Sequence, residues 1–239
     1  MATALITGAT VGIGRAFADL LARQGFDLVL VARNEARLKQ VAKELHDKHS
    51  VVVEVFRADL SRYDECAWVE QRLADPARPI EVLINNAGFS VRQRFATGDL
   101  LAEQTMFDVL VRAVMRLSHA AAQGMVARGS GVIINVSSVA GWRHTSTYAA
   151  SKAYVTSFSI ALGRELRNKG VKVTALCPGF THTEFHQRAG MDMKRLPEFM
   201  WLNADALVAQ GWRDAQRHKR VSVPGRQYQV IRYLLKFWY

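Results

Sequence analysis

Thr7-Gly8-Ala9-Thr10-Val11-Gly12-Ile13-Gly14 follows a short apolar run, Ala4–Thr7, and precedes a helix-sized segment. Its three glycines, Gly8, Gly12 and Gly14, allow a tight strand-to-helix bend and a close approach of the backbone to a ligand. A helix opening at such a turn presents unpaired N–H groups and a positive dipole end, which suit a pyrophosphate. A strand, a glycine turn and a helix in that order form the opening unit of a parallel α/β sheet.

The same alternation runs outward from this turn. Strand-sized, β-branched runs occur at Asp27–Ala32, Val51–Phe56, Glu81–Asn85, Gly131–Val136, Val171–Leu176 and Val221–Val223. Several are apolar almost throughout, as expected of strands covered on both faces. Helix-sized segments lie between them. In one, Asn34–Lys48, Asn34 is a candidate N-cap and Leu38, Val41 and Leu45 share a face. The pattern predicts a Rossmann-type α/β fold, a doubly wound parallel sheet of about seven strands with helices on both faces.

Composition agrees with one unit. The 239 residues are 49% hydrophobic, enough for a sizeable core, and no linker, low-complexity tract or repeat interrupts them. The expected organisation is a single domain over residues 1–239. Residues 1–130 form mainly a cofactor-binding half, 131–223 a catalytic and substrate half, and 224–239 a C-terminal basic amphipathic segment. The N-terminus has neither a basic n-region nor a long apolar run, and the two cysteines, Cys66 and Cys177, read as buried free thiols. A cytoplasmic protein is expected. The net charge of +11 admits anionic partners, but the basic residues are spread through predicted helices without an aromatic-basic platform, so no nucleic acid is expected.

Ligands of such sheets bind beyond the carboxyl ends of the strands. The second strand ends at Ala32-Arg33, where a carboxylate would bind a ribose 2′-hydroxyl. Arg33 instead offers a permanent planar cation suited to a 2′-phosphate, so NADP(H) is the expected cofactor. After the fifth strand come Ser137-Ser138, then Tyr148 and Lys152, four residues apart on one helix face. A nearby ammonium lowers a phenol's pKa, so Tyr148 is expected to act as general acid/base on a carbonyl oxygen. Ser138 is expected to hydrogen-bond the same oxygen.

These motifs resemble those of the short-chain dehydrogenase/reductase family: Thr7–Gly14 as its glycine turn, Asn85-Asn86-Ala87-Gly88, Tyr148-Ala149-Ala150-Ser151-Lys152, and Pro178-Gly179. The resemblance covers about Thr3 to Val223. It implies Ser138, Tyr148 and Lys152 as the catalytic set. It implies that Gly8, Thr10, Gly12, Ile13, Gly14, Arg33, Asp59, Leu60, Asn85, Ala87, Gly88, Tyr148, Lys152, Pro178, Gly179, Thr181 and Thr183 meet the cofactor. Asp59 and Leu60 fall where the family meets adenine, and a helix cap is the alternative for Asp59. Asn86 is expected in a structural role, because adjacent buried Asn residues need hydrogen-bond partners.

Three departures stand out. Val11 occupies a place that is often basic in NADP-preferring relatives. The loop Val139–Thr147 is about three residues shorter than usual. Leu110 stands where the family carries an Asn that holds a water in a proton relay, and a Leu side chain cannot do so. Two readings therefore stay open: an NADP(H)-dependent ketone/alcohol oxidoreductase, and an NADP(H)-binding protein with weak or no turnover.

The segment Phe185–Trp201 carries Met191, Met193, Leu196, Phe199, Met200 and Trp201. It suggests an apolar, lipid-like substrate, or else ordinary helix packing. No metal site is expected, and His182 and His186 read as exposed loop residues. The family resemblance implies a homodimer or homotetramer. At the C-terminal end, Val230, Ile231, Leu234, Leu235 and Trp238 share one side of a helix, with Arg232 and Lys236 away from it. That stripe either packs on the domain or a partner subunit, or gives weak contact with an anionic membrane surface.

Overall fold

The structure is a computed structural model that describes residues 2–143, 145–185, 190 and 196–235. Along the chain run β1 (Thr3–Thr7), α1 (Gly12–Arg23), β2 (Asp27–Ala32), α2 (Glu35–His49), β3 (Val53–Arg57), α3 (Tyr63–Ala74) and β4 (Val82–Asn85). Then come α4 (Leu100–Phe107), α5 (Val114–Arg128), β5 (Gly131–Val136), α6 (Thr147–Glu165), β6 (Val171–Leu176), α7 (Ala204–Gln216), β7 (Val221–Ser222) and α8 (Arg226–Leu235). The strands form one seven-stranded sheet in the order β3-β2-β1-β4-β5-β6-β7, with every pair parallel.

The expected architecture is present, and the strand sequences explain it. Ala4 and Ile6 of β1 pack under α1, α2 and α7, while Leu5 between them packs under α3 and α5. Leu28 and Leu30 alternate with Val29 and Val31 across the same two layers. With both faces covered, each strand is apolar at consecutive positions. Asn34 caps α2 by accepting from the Arg37 N–H, and Leu38, Val41 and Leu45 are buried. The third strand starts two residues later than the pattern suggests, at Val53, although Val51 is still buried. The seventh ends one residue early, at Ser222, ahead of Pro224.

The chain begins at the sheet centre, moves out to β3, then returns to lay β4 on the other side of β1. This reversal opens a crevice at the carboxyl ends of β1 and β4, the position where such folds take ligands. On the other side of the sheet, α4 runs into α5 through one π-helical turn, Asp108–Ala113. Its wider turn holds Val109, Leu110 and Val111 buried against the domain.

Cys66 and Cys177 are buried and unpaired, and burial pushes the Cys66 thiol up to about 11. Among the described residues, no helix is long and apolar enough to cross a membrane.

The first turns of α8 pack onto the domain. Tyr228 is buried; its hydroxyl donates to the Met200 carbonyl at 2.6 Å and accepts from the Phe180 N–H at 2.9 Å. Ile231 joins the same apolar cluster, and the Arg232 guanidinium lies over the Trp142 ring. Val230 and Tyr233 remain exposed. The final aromatics, Phe237, Trp238 and Tyr239, and Lys236 lie outside the described residues. A Tyr228→Ala variant is expected to lose about 3–5 kcal/mol of unfolding free energy, as for a large core aromatic. Denaturant melts giving a loss under about 1 kcal/mol, the ordinary surface range, would contradict this anchoring.

Candidate active site

At the glycine turn, Gly8 and Gly12 have positive φ, +65° and +57°. A Cβ on Gly14 would lie 2.3 Å from the Gly8 carbonyl oxygen and 2.4 Å from Asn86 Nδ2. No side chain fits there, so the start of α1 packs directly on the backbone of the turn. Val11, at the N-cap of α1, makes no side-chain cap hydrogen bond. The first N–H groups of that helix thus face the crevice uncapped by any side chain, as a pyrophosphate site requires. Thr10 is half-buried in this turn, and Ile13 packs on the core beneath it.

Asn86 locks the switch point. Its Nδ2 donates to the Thr7 and Gly8 carbonyls at 2.9 and 3.2 Å. Its N–H and that of Ala87 both donate to Thr7 Oγ1, at 2.9 and 3.0 Å. The expected structural role of Asn86 is therefore visible in its contacts. Asn85 behaves differently: its side chain turns into the interior and donates to Ser118 Oγ and Asn135 Oδ1, at 3.1 and 2.9 Å. Asn135 in turn donates to Ser159 Oγ at 3.0 Å. Asn85 and Asn135 are register partners in β4 and β5, so their side chains leave the sheet on the same face. This buried network was missed in the sequence; the polar interruption of the run Gly131–Val136 was its signal.

Other cofactor candidates are spread around the crevice. Arg33 is exposed at the end of β2. Asp59 accepts from both the N–H and the hydroxyl of Ser61, so its carboxylate organises its own turn. Leu60 is buried in the core. Gly88 faces Leu110 and Lys152: a Cβ there would lie 2.8 Å from Leu110 Cδ2 and 3.8 Å from Lys152 Nζ.

After β6, Pro178 accepts from the Val139 N–H, and a Cβ on Gly179 would lie 2.0 Å from the Tyr228 ring. Thr181 is buried and donates back to the Gly179 carbonyl at 3.0 Å. Thr183 lies against the glycine turn, within 3.0 Å of a Cβ built on Gly12. Thr181 and Gly179 thus brace their own loop, while Thr183 reaches across to the opposite wall.

The candidate catalytic residues converge. Ser138 caps the short turn Val139–Trp142, accepting from the Ala140 N–H at 3.1 Å, and its hydroxyl is near enough to the Tyr148 phenol to lower its pKa. Ser146 caps α6 by accepting from the Ala149 N–H. Lys152, one turn on, is buried, donates to the Val136 carbonyl at 2.7 Å, and has its ammonium 5.8 Å from the Tyr148 ring centroid. A second clamp acts on its backbone: the Lys152 carbonyl accepts from Ser137 Oγ and Thr156 Oγ1, at 2.6 and 3.1 Å. The turn after Ser138 packs tightly on α6, since a Cβ on Gly141 would lie 2.8 Å from the Ala153 nitrogen.

One expectation is reversed. The phenol was expected below its ordinary pKa; desolvation instead pushes Tyr148 up to about 12, against a smaller lowering by the Ser138 hydroxyl. Desolvation also pushes Lys152 down to about 8. The cause is common to both groups: the ammonium is buried beside the ring, so its own charge is penalised along with the phenolate.

Around Tyr148 the surroundings are apolar. Met106, Leu110 and Val111 cluster with Phe89 and Val91 against it, and Phe185 lies 5.8 Å away ring to ring. Leu110 thus lies against both Gly88 and Tyr148 and brings no polar side chain to the site. His182 is exposed, stacks on Trp201 and meets Glu198 at 3.0 Å. His186, Met191 and Met193 lie outside the described residues. Among the described residues, no cluster of potential metal ligands occurs.

Residues 2–194 match the family model for short chain dehydrogenases. The chain belongs to this family and is an oxidoreductase of it. It is 38% identical over 181 residues to a very-long-chain 3-oxoacyl-CoA reductase of Laccaria bicolor, covering 73% of this chain and 53% of that protein. It therefore spans about half of that relative's length. A short-chain dehydrogenase of Sphingobium yanoikuyae in complex with NADPH superposes with a TM-score of 0.90, at 37% identity over 100% of this chain and 94% of that one. A bulky-bulky ketone specific alcohol dehydrogenase of Comamonas testosteroni superposes with a TM-score of 0.85, at 31% identity over 100% and 93% of the two chains.

The two displaced pKa values give a direct prediction. In the wild-type protein the Lys152 side chain should titrate near 8, followed through its labelled Cε resonance. A midpoint at the ordinary lysine value of about 10.4 would contradict the burial of that amine.

Proposed function

We propose that this protein interconverts a ketone and a secondary alcohol with NADP(H), on an apolar or lipid-like substrate. The observation that carries the proposal is the meeting of Ser138, Tyr148 and Lys152 at the end of β5, beneath an apolar wall. The nucleotide side of the crevice supports it through its bare glycine turn and uncapped helix. Arg33, with Ala32 in place of an acid, supports the phosphorylated cofactor. The NADPH held by the Sphingobium relative and the ketone specificity in the Comamonas relative's name agree with both parts.

The proposed organisation keeps the division by residue number. Residues 1–130 hold mainly the cofactor, 131–223 carry catalysis and the substrate wall, and 224–239 are the C-terminal basic amphipathic segment. Exposed Leu100, Leu101, Phe107 and Met115 on α4 and α5 favour a homo-oligomer. The packing of Tyr228 and Ile231 favours α8 as part of the domain rather than a membrane contact.

A nicotinamide cofactor supplies hydride in this reaction when bound. The chain's own residues handle the oxygen. Ser138 and Tyr148 donate hydrogen bonds to the carbonyl oxygen, and Tyr148 transfers its proton as negative charge develops there. A phenol pushed up to about 12 stays protonated across the working range, so it is always ready as an acid. Lys152 opposes the charge left on the phenolate, and it does so only while protonated. Its pKa is lowered to about 8, so below that pH it is charged and above it neutral. Reduction should therefore slow as pH rises through about 8.

A second reading, tight NADP(H) binding with weak turnover, rests on Leu110, which is fully buried where the resemblance implies a relay Asn. The two readings separate under mutation. Tyr148→Phe should cut ketone-dependent NADPH oxidation at least about a hundredfold while leaving NADPH affinity nearly unchanged. Retention of a tenth of the rate would remove Tyr148 from the acid role. Leu110→Asn should raise turnover if the missing amide is limiting. A slower and less stable variant would mean that the apolar site is adapted to Leu, since an unpaired buried amide costs stability.

A further inference from the structure

Arg37 and Glu184 are 147 positions apart, yet Arg37 Nη1 and Nη2 meet the two Glu184 carboxylate oxygens at 3.4 and 3.5 Å. The pair bridges the mouth of the crevice. Arg37 stands in the first turn of α2, on the helix end that Asn34 caps and Arg33 precedes. Glu184 follows Thr183, which lies against Gly12 on the glycine turn. One lip is thus the 2′-phosphate end of the proposed cofactor site, and the other is the segment leading to the substrate wall.

The chemistry of the pair is that of a stand-in. A carboxylate facing a guanidinium through two oxygens presents the same fork that a phosphate presents. Both side chains are partly exposed, 45% and 41%, and an ion pair this open is weak and readily exchanged. The glycine turn offers no cation of its own, because Val11 stands there. A dianionic phosphate brought to Arg33 and to the positive end of α2 would outbid a single carboxylate for Arg37.

We propose that Arg37 is a second 2′-phosphate cation and that Glu184 is its built-in competitor. NADPH displaces Glu184 from Arg37, whereas NADH leaves the pair intact. The proposal rests on the NADP(H) reading and adds to it a named source of discrimination. By linkage, releasing Glu184 and binding the 2′-phosphate favour each other.

The test measures dissociation constants of the full chain for NADPH and NADH, by fluorescence titration at low and high salt, in four variants. Arg37→Ala should weaken NADPH about tenfold, the scale of one lost charged hydrogen bond, and leave NADH within about twofold. Glu184→Gln should tighten NADPH by about threefold or more at low salt and leave NADH unchanged, with the gain shrinking as salt screens the pair. The double variant should match Arg37→Ala, because the competitor matters only while its cation is present.

An unchanged NADPH constant in Glu184→Gln overturns the proposal. So does an equal gain for both cofactors, which would mean general repulsion of the dinucleotide. Arg33→Ala separates the layers. If it abolishes NADPH preference while Glu184→Gln has no effect, only the exchange fails. If Arg33→Ala and Arg37→Ala both leave the preference intact, the 2′-phosphate reading itself fails and takes the exchange with it.

Discussion

The buried ammonium of Lys152 is the constraint around which the site is arranged. Charge in a low-dielectric place is costly, and the fold meets that cost with one short hydrogen bond to the Val136 carbonyl. The same residue's carbonyl is gripped by Ser137 and Thr156, so side chain and backbone are both tied to the end of β5. Tyr148 is then fixed one turn earlier on α6, beside Ser138. Desolvation drives the two pKa values apart, a phenol near 12 and an amine near 8. That separation between a persistent acid and a titratable cation is the kind of environment-set division of roles found at catalytic sites.

The sheet delivers these parts to one place. Parallel strands end on the same side, so the glycine turn after β1, the Asn86 clamp after β4, Ser138 after β5 and Thr183 after β6 share a single edge. Asn86 binds the first of these to the second through Thr7 and Gly8. Behind them, Asn85, Ser118, Asn135 and Ser159 link two strands to α5 and α6. Asn85 Oδ1 stays without a partner in this network. A buried network of this kind trades some stability for a fixed geometry between the halves of the crevice.

Much of this was legible in the sequence because local signals and tertiary demands agreed. Strand runs, the Asn34 cap and the Leu38, Val41, Leu45 face all follow from periodicity and capping, which act over a few residues. The glycine turn was legible for the same reason. What escaped the sequence depends on distance or direction in space. Asn85 points inward because of its register with Asn135 across the sheet, which neighbouring residues do not encode. The shift of Tyr148 has the opposite sign from the expectation because a nearby charge can itself be desolvated, and burial is a property of the whole fold. The π turn at Asp108–Ala113 has neither Pro nor Gly to announce it. The Arg37–Glu184 contact joins the two ends of a long loop of chain.

The central claim, reduction of an apolar ketone with proton delivery from Tyr148, is tested most directly by following hydride itself. The protein would be incubated with NADPH deuterated at the transferable position and a panel of aliphatic, acyl and steroid ketones, and the products read by mass spectrometry. The account predicts deuterium at the carbinol carbon of at least one apolar alcohol, with one NADPH oxidised per product, and loss of that product in Tyr148→Phe. Tight NADPH binding with no deuterated alcohol from any ketone in the panel would contradict it.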